Sequence, residues 1–174
     1  MEITIQSDIK GIHHFKVWPH SEIPMLVEKE NGNRWDRHAM TVSYPAFKDI
    51  PSSLRHEWAR IPDNDKVGQR VDENAGKVVG RVPANLCGLF RKYIDKQKVK
   101  RIVCLALSGP GSSKNPHIHQ RFRKSSQGRD RRGGGLVVGC KYVLHLFQSV
   151  DKAKFIDEVK TDIKEIGGSD LLLL

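Results

Sequence analysis

Apolar and polar residues alternate along several short stretches of the chain, the pattern typical of half-buried β-strands. The alternation predicts six or seven short strands, at residues 1–6, 11–18, 25–30, 37–43, 77–82, 99–107 and 136–150. Asn31-Gly32 predicts a tight turn after the third stretch, because this pair readily adopts the positive φ angles that hairpin turns need. The chain is therefore expected to be dominated by strands.

Three other segments have the spacing of helices. Residues 85–96 follow Pro83, which is favoured in a first helical turn, and place Leu86, Leu89, Phe90, Tyr93 and Ile94 on one face. A second apolar stripe runs through residues 155–166 and ends at Gly167-Gly168. We expect that helix to be a strap across the fold or a docking element for a protein partner. A third, short helix is predicted at residues 52–60, with Ser52 as its N-cap.

The strands crowd both halves of the chain without the regular strand–helix alternation of a parallel sheet. We therefore predict a mainly β (α+β) fold, a small antiparallel barrel with two or three helices. Residues 1–150 would form the barrel domain, with a long excursion at 44–76 and a mobile basic loop at 108–135. Residues 151–174 would form the C-terminal helix and a tail that is either free or packed on the body.

The net charge changes the picture. The 174 residues, 38% of them apolar, suffice for one domain with a core, and their formal net charge is +10. A polyanionic partner such as nucleic acid explains that charge, although charge can also serve only to keep a protein dispersed. Residues 114–132 contain seven Lys or Arg and one acid, so much of the charge lies in one segment. We call residues 114–132 the basic segment.

The basic segment combines guanidinium groups with one aromatic ring. Its candidate nucleic-acid contacts are Arg121, Phe122, Arg123, Lys124, Arg131 and Arg132. Such groups neutralise phosphates without reading sequence, which gives salt-sensitive binding to single-stranded DNA or to RNA. The alternatives are a solvated surface loop and a nuclear-import signal.

Cysteine usage and the N-terminus bear on the compartment. Cys87, Cys104 and Cys140 are widely spaced and each lies among apolar residues, so we expect three small buried hydrophobes rather than a zinc site. This usage fits a reduced, intracellular and, given the basic segment, nuclear setting. The N-terminus lacks the pattern of a signal peptide. No apolar run approaches the roughly 20 residues that span a bilayer.

The sequence offers no catalytic or cofactor motif. His117 and His119 lie in a loop without further ligands at suitable spacing, and we expect no metal there. A nucleophile elbow, a phosphate loop and paired catalytic acids are all missing from the sequence. We therefore expect no enzymatic activity and no cofactor.

Three motifs occur in a fixed order. The first is GIHHF at residues 11–15, and the second is ENGNRWDRHAMTV at residues 30–42. The third is VGRVPA at residues 79–84, immediately before the predicted helix. In this order and spacing the motifs resemble those of the HIRAN family. The resemblance covers residues 10 to 107 and, more loosely, residues 136–150.

The resemblance implies an OB-like barrel that binds single-stranded DNA. Known members of the family bind the 3′ end of the DNA strand. By resemblance, Trp35 would stack on the terminal base, and Asp36 would accept a hydrogen bond from the terminal 3′-hydroxyl. Asn33 would contact a base edge or hold the turn, and Arg81 would hold a phosphate. DNA-binding members carry Arg-Tyr where this chain has His13 and His14, a departure that weakens the expected phosphate contact because histidine is mostly neutral near pH 7.

Other interpretations of the same residues are structural. Trp35 can be a core or rim aromatic, and Asp36 can cap the turn by accepting backbone amides, a role that does not exclude ligand binding. The whole module can also be a protein-interaction scaffold that keeps the barrel without the DNA-end site. The sequence thus predicts a non-catalytic nucleic-acid-binding module, with the scaffold as the competing hypothesis.

Overall fold

The computed structural model describes residues 1–59, 68–107, 137–167 and 172–173. Within these ranges the strands are β1 Glu2–Ile9, β2 Met25–Lys29, β3 Met40–Ser43, β4 Trp58–Ala59, β5 Gln69–Arg70, β6 Val78–Arg81, β7 Val99–Ala106, β8 Val138–Leu146 and β9 Leu172–Leu173. The α-helices are α1 Ile12–Phe15, α2 Ala84–Asp95 and α3 Lys152–Glu165. Single 3-10 turns occupy Phe47–Asp49, Ser52–Leu54 and Asp72–Asn74.

Most of the strands belong to one antiparallel sheet, in the order β6-β3-β2-β7-β8-β1-β9. The strand β6 at one edge also meets the end of β1, because Lys10 and Arg81 exchange two backbone hydrogen bonds of 2.9 and 2.8 Å. The sheet therefore curls into a partly open barrel. The predicted fold class, a mainly β, α+β antiparallel barrel, is confirmed.

Gly80 allows this closure. A Cβ atom at Gly80 would lie 2.6 Å from the side chain of Ile9 and 2.6 Å from the carbonyl oxygen of Lys10. Real Cβ atoms do not approach backbone so closely, so only glycine lets β6 come this near to β1. Close packing of β6 against β1 therefore explains the glycine in the third motif.

The core lies between the curled sheet and the helices. Phe90 of α2 packs edge-to-face on Tyr142 of β8 at 5.3 Å between ring centroids, and Tyr93 packs on Phe155 of α3 at 4.8 Å. Val159 of α3 is also fully buried. The apolar stripe of α3 therefore lies against the body, and its polar face is left toward solvent.

Residues 11–18 do not form the predicted strand, and that prediction was wrong. Gly11 has φ +74° and Lys16 has φ +54°, so left-handed residues bracket the single helical turn α1. The extended segment is instead β1, which continues to Ile9 and pairs with β8 along its whole length. The alternation around Ile12 reflects only neighbouring residues. The end of β1 is instead set by its pairing with β8, which is distant in the sequence.

The predicted helix at 52–60 is also wrong. The N-cap position is occupied by Pro51 and not by Ser52, and the single 3-10 turn Ser52–Leu54 is followed by β4, which pairs with β5. Gln69 at the start of β5 accepts from the backbone N–H of Trp18 at 3.0 Å and donates to the carbonyl of Lys16 at 2.6 Å. These bonds tie the excursion at 44–76, as far as it is described, to the segment after α1.

The predicted basic loop at 108–135 lies outside the described residues. At the C-terminus, Leu172 and Leu173 pair with Gln6 and Ile5, so this part of the tail packs on the body. All three cysteines are free and buried, as predicted. Over the described ranges, the longest helices are neither long nor apolar enough to cross a bilayer.

Candidate nucleic-acid interface

The turn between β2 and β3, residues 30–39, is held by its own side chains. The Oδ1 atom of Asn33 accepts from the backbone N–H groups of Trp35 and Asp36, both at 3.0 Å. The Oδ1 atom of Asp36 accepts from the N–H of His38 at 2.8 Å. These are the local bonds by which Asn and Asp shape turns. We call residues 30–39 the Trp35 turn.

The Trp35 turn projects its indole into water. Trp35 is 98% exposed, whereas the next most exposed large apolar residue in the described chain, Met1, is 56% exposed. An indole is a large apolar surface, and leaving it in water costs free energy that burial would recover. Trp35 is therefore not a core aromatic, and the fixed backbone around it presents the ring as a surface feature.

Glu30 joins the Trp35 turn to the barrel. The guanidinium of Arg81 donates to both carboxylate oxygens of Glu30, at 3.0 and 2.7 Å, and Asn33 donates to Glu30 at 3.0 Å. The hydrogen bond from Arg81 is the main reason why the pKa of Glu30 lies below its ordinary value. Because Arg81 ends β6, this paired contact fixes the turn against the barrel wall.

Helix α1 completes the cluster. The guanidinium of Arg81 also lies over the ring of Phe15, 5.2 Å from its centroid. His13 and His14 are exposed, and their rings are 3.9 Å apart and inclined by 42°. The three sequence motifs thus meet at Arg81, although they are far apart in the chain.

Two roles were predicted for Asp36, capping the turn and binding a ligand, and the structure shows that it caps the turn. The bond to His38 uses only Oδ1, and Oδ2 has no hydrogen-bond partner within the described chain. The capping role therefore leaves one oxygen of a half-exposed carboxylate free to accept a further hydrogen bond.

No family model and no curated protein matches this chain. Among solved structures, it is similar to the HIRAN domain of human HLTF, with a TM-score of 0.50 and 10% identity, over 95% of this chain and 93% of that one. The chain has the HIRAN fold. At this level of identity the similarity concerns the fold, and the expected resemblance is confirmed to that extent.

Within the HIRAN fold, Asn33, Trp35, Asp36 and Arg81 come together through Glu30, and His13 and His14 lie on the neighbouring α1. The other predicted contacts fall outside the described residues: Arg121, Phe122, Arg123, Lys124, Arg131 and Arg132. In the part that the structure covers, no three His, Cys, Asp or Glu side chains come close enough to hold a metal ion.

Sequence reasoning missed two residues of this HIRAN-fold surface. Glu30 was noted only as part of a motif, and its pairing with Arg81 spans 51 positions, so no local pattern reports it. Arg91 of α2 donates from Nη1 to the carbonyl oxygen of Arg37 at 3.0 Å. This contact spans 54 positions, so the helical spacing of α2 did not point to it either.

Proposed function

We propose that this chain is a non-catalytic nucleic-acid-binding module that receives the end of a single DNA strand at the Trp35 turn. The observation that carries the proposal is the almost complete exposure of Trp35 on a turn fixed by Asn33, Asp36 and Glu30. A held, exposed aromatic ring is a stacking platform, and stacking of one base is worth about 1–3 kcal/mol. The resemblance to HIRAN domains and the basic composition support the same function.

Asp36 supports recognition of an end rather than of an internal nucleotide. Its unused oxygen can accept a hydrogen bond from a terminal hydroxyl, whereas its negative charge repels a phosphate in the same place. A continuing strand has a phosphate where a free 3′ end has a hydroxyl. The adjacent Trp35 and Asp36 therefore suit the last nucleotide of a strand, and the HIRAN resemblance favours the 3′ end.

Asn33 and Arg81 act as supports in this proposal. Asn33 uses its oxygen for two turn amides and its amide group for Glu30. The guanidinium of Arg81 is paired through two nitrogens with Glu30. These contacts support a role in holding the turn, and the exposed rings of His13 and His14 are left to contact the strand beside it.

The stacking role is tested by Trp35→Ala. We expect affinity for a short single-stranded oligonucleotide with a free 3′-hydroxyl to fall about tenfold to hundredfold, because one base–aromatic stack is lost. Fluorescence anisotropy of a 5′-labelled oligonucleotide measures this. Trp58→Ala is the matched control, since Trp58 is a second exposed tryptophan, on β4. Equal losses in the two variants would contradict a specific role of Trp35.

End recognition is tested by Asp36→Asn with oligonucleotides that end in a 3′-hydroxyl or a 3′-phosphate. Asparagine keeps an oxygen for the N–H of His38, so the turn is retained while the charge is lost. We expect the intact protein to prefer the 3′-hydroxyl, and the variant to bind the two ends with similar affinity. If the intact protein binds both ends equally, end recognition fails.

A protein-interaction scaffold is the second candidate function. Phe47 and Trp58 are 51% and 48% exposed in the excursion, and the guanidinium of Arg55 lies over the Phe47 ring at 4.5 Å. Exposed aromatic and arginine side chains are enriched at protein interfaces. If Trp58→Ala lowered partner binding while Trp35→Ala left DNA binding unchanged, the scaffold would be favoured.

A further inference from the structure

One face of α2 runs beside the Trp35 turn. Cys87, Arg91 and Asp95 lie four residues apart and therefore share this face. Burial raises the pKa of the Cys87 thiol to about 11, and the nearby negative charges of Asp36 and Glu30 add to that effect. Arg91 lies one helical turn after Cys87 on the same face.

Arg91 reaches the turn directly. Its Nη1 donates to the carbonyl oxygen of Arg37 at 3.0 Å. Arg37 is two positions after Trp35, so at most about 7 Å of backbone separates the two residues. A base stacked on Trp35 would therefore carry its sugar and phosphate close to the guanidinium of Arg91.

Arg91 also differs from Arg81 in its charge pairing. Arg81 is paired bidentately with Glu30. The acid nearest to Arg91 on its own helix is Asp95, and Asp95 is paired with Lys29 at 2.8 Å. No salt bridge to Arg91 is found in the described ranges. One of its five N–H donors is used for Arg37, which leaves the others for a ligand.

We propose that Arg91, and not Arg81, is the phosphate-binding residue of the Trp35 site. The inference rests on the proposed function and adds a specific contact to it. Two of the five N–H donors of Arg81 are taken by Glu30, whose negative charge already offsets that of the guanidinium, whereas Arg91 has no such carboxylate partner within the described ranges. The bond to Arg37 fixes the orientation of the guanidinium, so little further ordering accompanies binding.

The salt dependence of DNA binding distinguishes the two arginines. Each lost phosphate contact reduces the slope of log K against log salt concentration by about 0.7 for a single strand. We expect Arg91→Gln to lower both the affinity and this slope, and Arg91→Lys to keep the slope. Arg81→Gln is expected to lower the affinity, because the Trp35 turn loses its contact with the barrel wall, but to keep the wild-type slope, because no phosphate contact is removed. Arg101→Gln, at an exposed position on β7, controls for the loss of one positive charge.

A second measurement does not depend on DNA. In a nuclear magnetic resonance titration with inorganic phosphate, we expect the Nε–H signal of Arg91 to shift and that of Arg81 to stay. Circular dichroism of each variant confirms folding before the measurements are compared.

The possible results separate the two proposals. If Trp35→Ala weakens DNA binding but Arg91→Gln keeps the wild-type slope and phosphate leaves the Arg91 signal in place, the Arg91 assignment is overturned and the strand-end function stands. If phosphate shifts Arg91 and Arg91→Gln lowers the slope while Trp35→Ala has no effect, Arg91 stands and the strand-end function falls.

Discussion

Single residues decide whether the surface exists at all. Glu30 accepts from both Arg81 and Asn33, so one carboxylate connects the turn to β6. Gly80 permits the backbone approach that places Arg81 beside Lys10. Neither residue need touch a ligand, yet without them the Trp35 turn would keep its internal hydrogen bonds and lose its attachment to β6.

Two glycine substitutions test this closure. Gly80→Ala is expected to lower the free energy of unfolding by about 1–3 kcal/mol, because the new Cβ would overlap Ile9 and the Lys10 carbonyl. Gly88→Ala is the matched control, since Gly88 lies exposed in α2 with nothing within 4 Å of a new Cβ, and alanine there should stabilise by about 0.4–1 kcal/mol. Urea denaturation measures both. Unchanged stability of Gly80→Ala would mean that β6 and β1 are not closely packed.

At the scale of elements, α3 is attached to the barrel through α2. Besides the contact of Phe155 with Tyr93, a buried polar cluster joins the two helices. Asp162 accepts from Lys92 Nζ and from the Tyr93 hydroxyl, all at 2.8 Å. Burial by itself would raise the pKa of Asp162, but the hydrogen bonds from Lys92 and Tyr93 outweigh it and hold the pKa below its ordinary value.

The cluster predicts a pH-dependent contribution to stability. Asp162→Asn is expected to cost about 1–3 kcal/mol near pH 7, because charge-assisted bonds are lost at a buried position. The folded pKa is lower than the unfolded value of about 3.9, so the unfolded chain binds a proton first as the pH falls. The stabilisation by Asp162 is therefore complete above about pH 4, and it is lost as the pH drops through the folded pKa.

Denaturation at pH 7 and at several values below pH 4 measures this contribution. The Asn variant should lose less stability on acidification than the wild type. Asp157→Asn is the control on the same helix, because the Asp157 side chain is 81% exposed and its contact with Lys160 is 3.9 Å long. Equal effects at the two positions would contradict a stabilising role of the buried cluster.

At the scale of the whole molecule, the proposed function draws on two sources of affinity for nucleic acid. In this proposal the Trp35 turn offers a stacking ring and a carboxylate, which together would distinguish strand ends. The basic segment, which the structure does not describe, offers charge that does not distinguish them. We propose that the Trp35 turn and the basic segment act together. We also propose a nuclear location, which the basic segment supports.

Replacement of residues 114–132 by a neutral linker separates these sources. We expect the affinity for all single strands to fall and the salt dependence to become shallower, because several phosphate contacts are lost. The preference for a 3′-hydroxyl over a 3′-phosphate should persist. Anisotropy titrations at several salt concentrations give both quantities. If replacing residues 114–132 abolished DNA binding and Trp35→Ala did not weaken it, the Trp35 turn would make no contribution to DNA binding.

The sequence by itself determined the elements whose signals are local. The helical spacing from Leu86 to Ile94 predicted α2, and Asn31-Gly32 predicted the turn at which Gly32 takes φ +81°. The burial of the three cysteines followed from their apolar neighbours. The motif residues were also chosen from sequence, through the resemblance of the three motifs to those of the HIRAN family.

Only the tertiary structure decided how these pieces meet. The pairing of β1 with β8 joins residues more than 100 positions apart, and the Glu30–Arg81 pair spans 51 positions. The same pairing extended β1 to Ile9, so residues 12–15 became a helical turn instead of a strand. Periodicity reports which face of an element is apolar, but it carries no information about which distant element covers that face. The exposure of Trp35 and the orientation of Arg91 depend on that choice of partner.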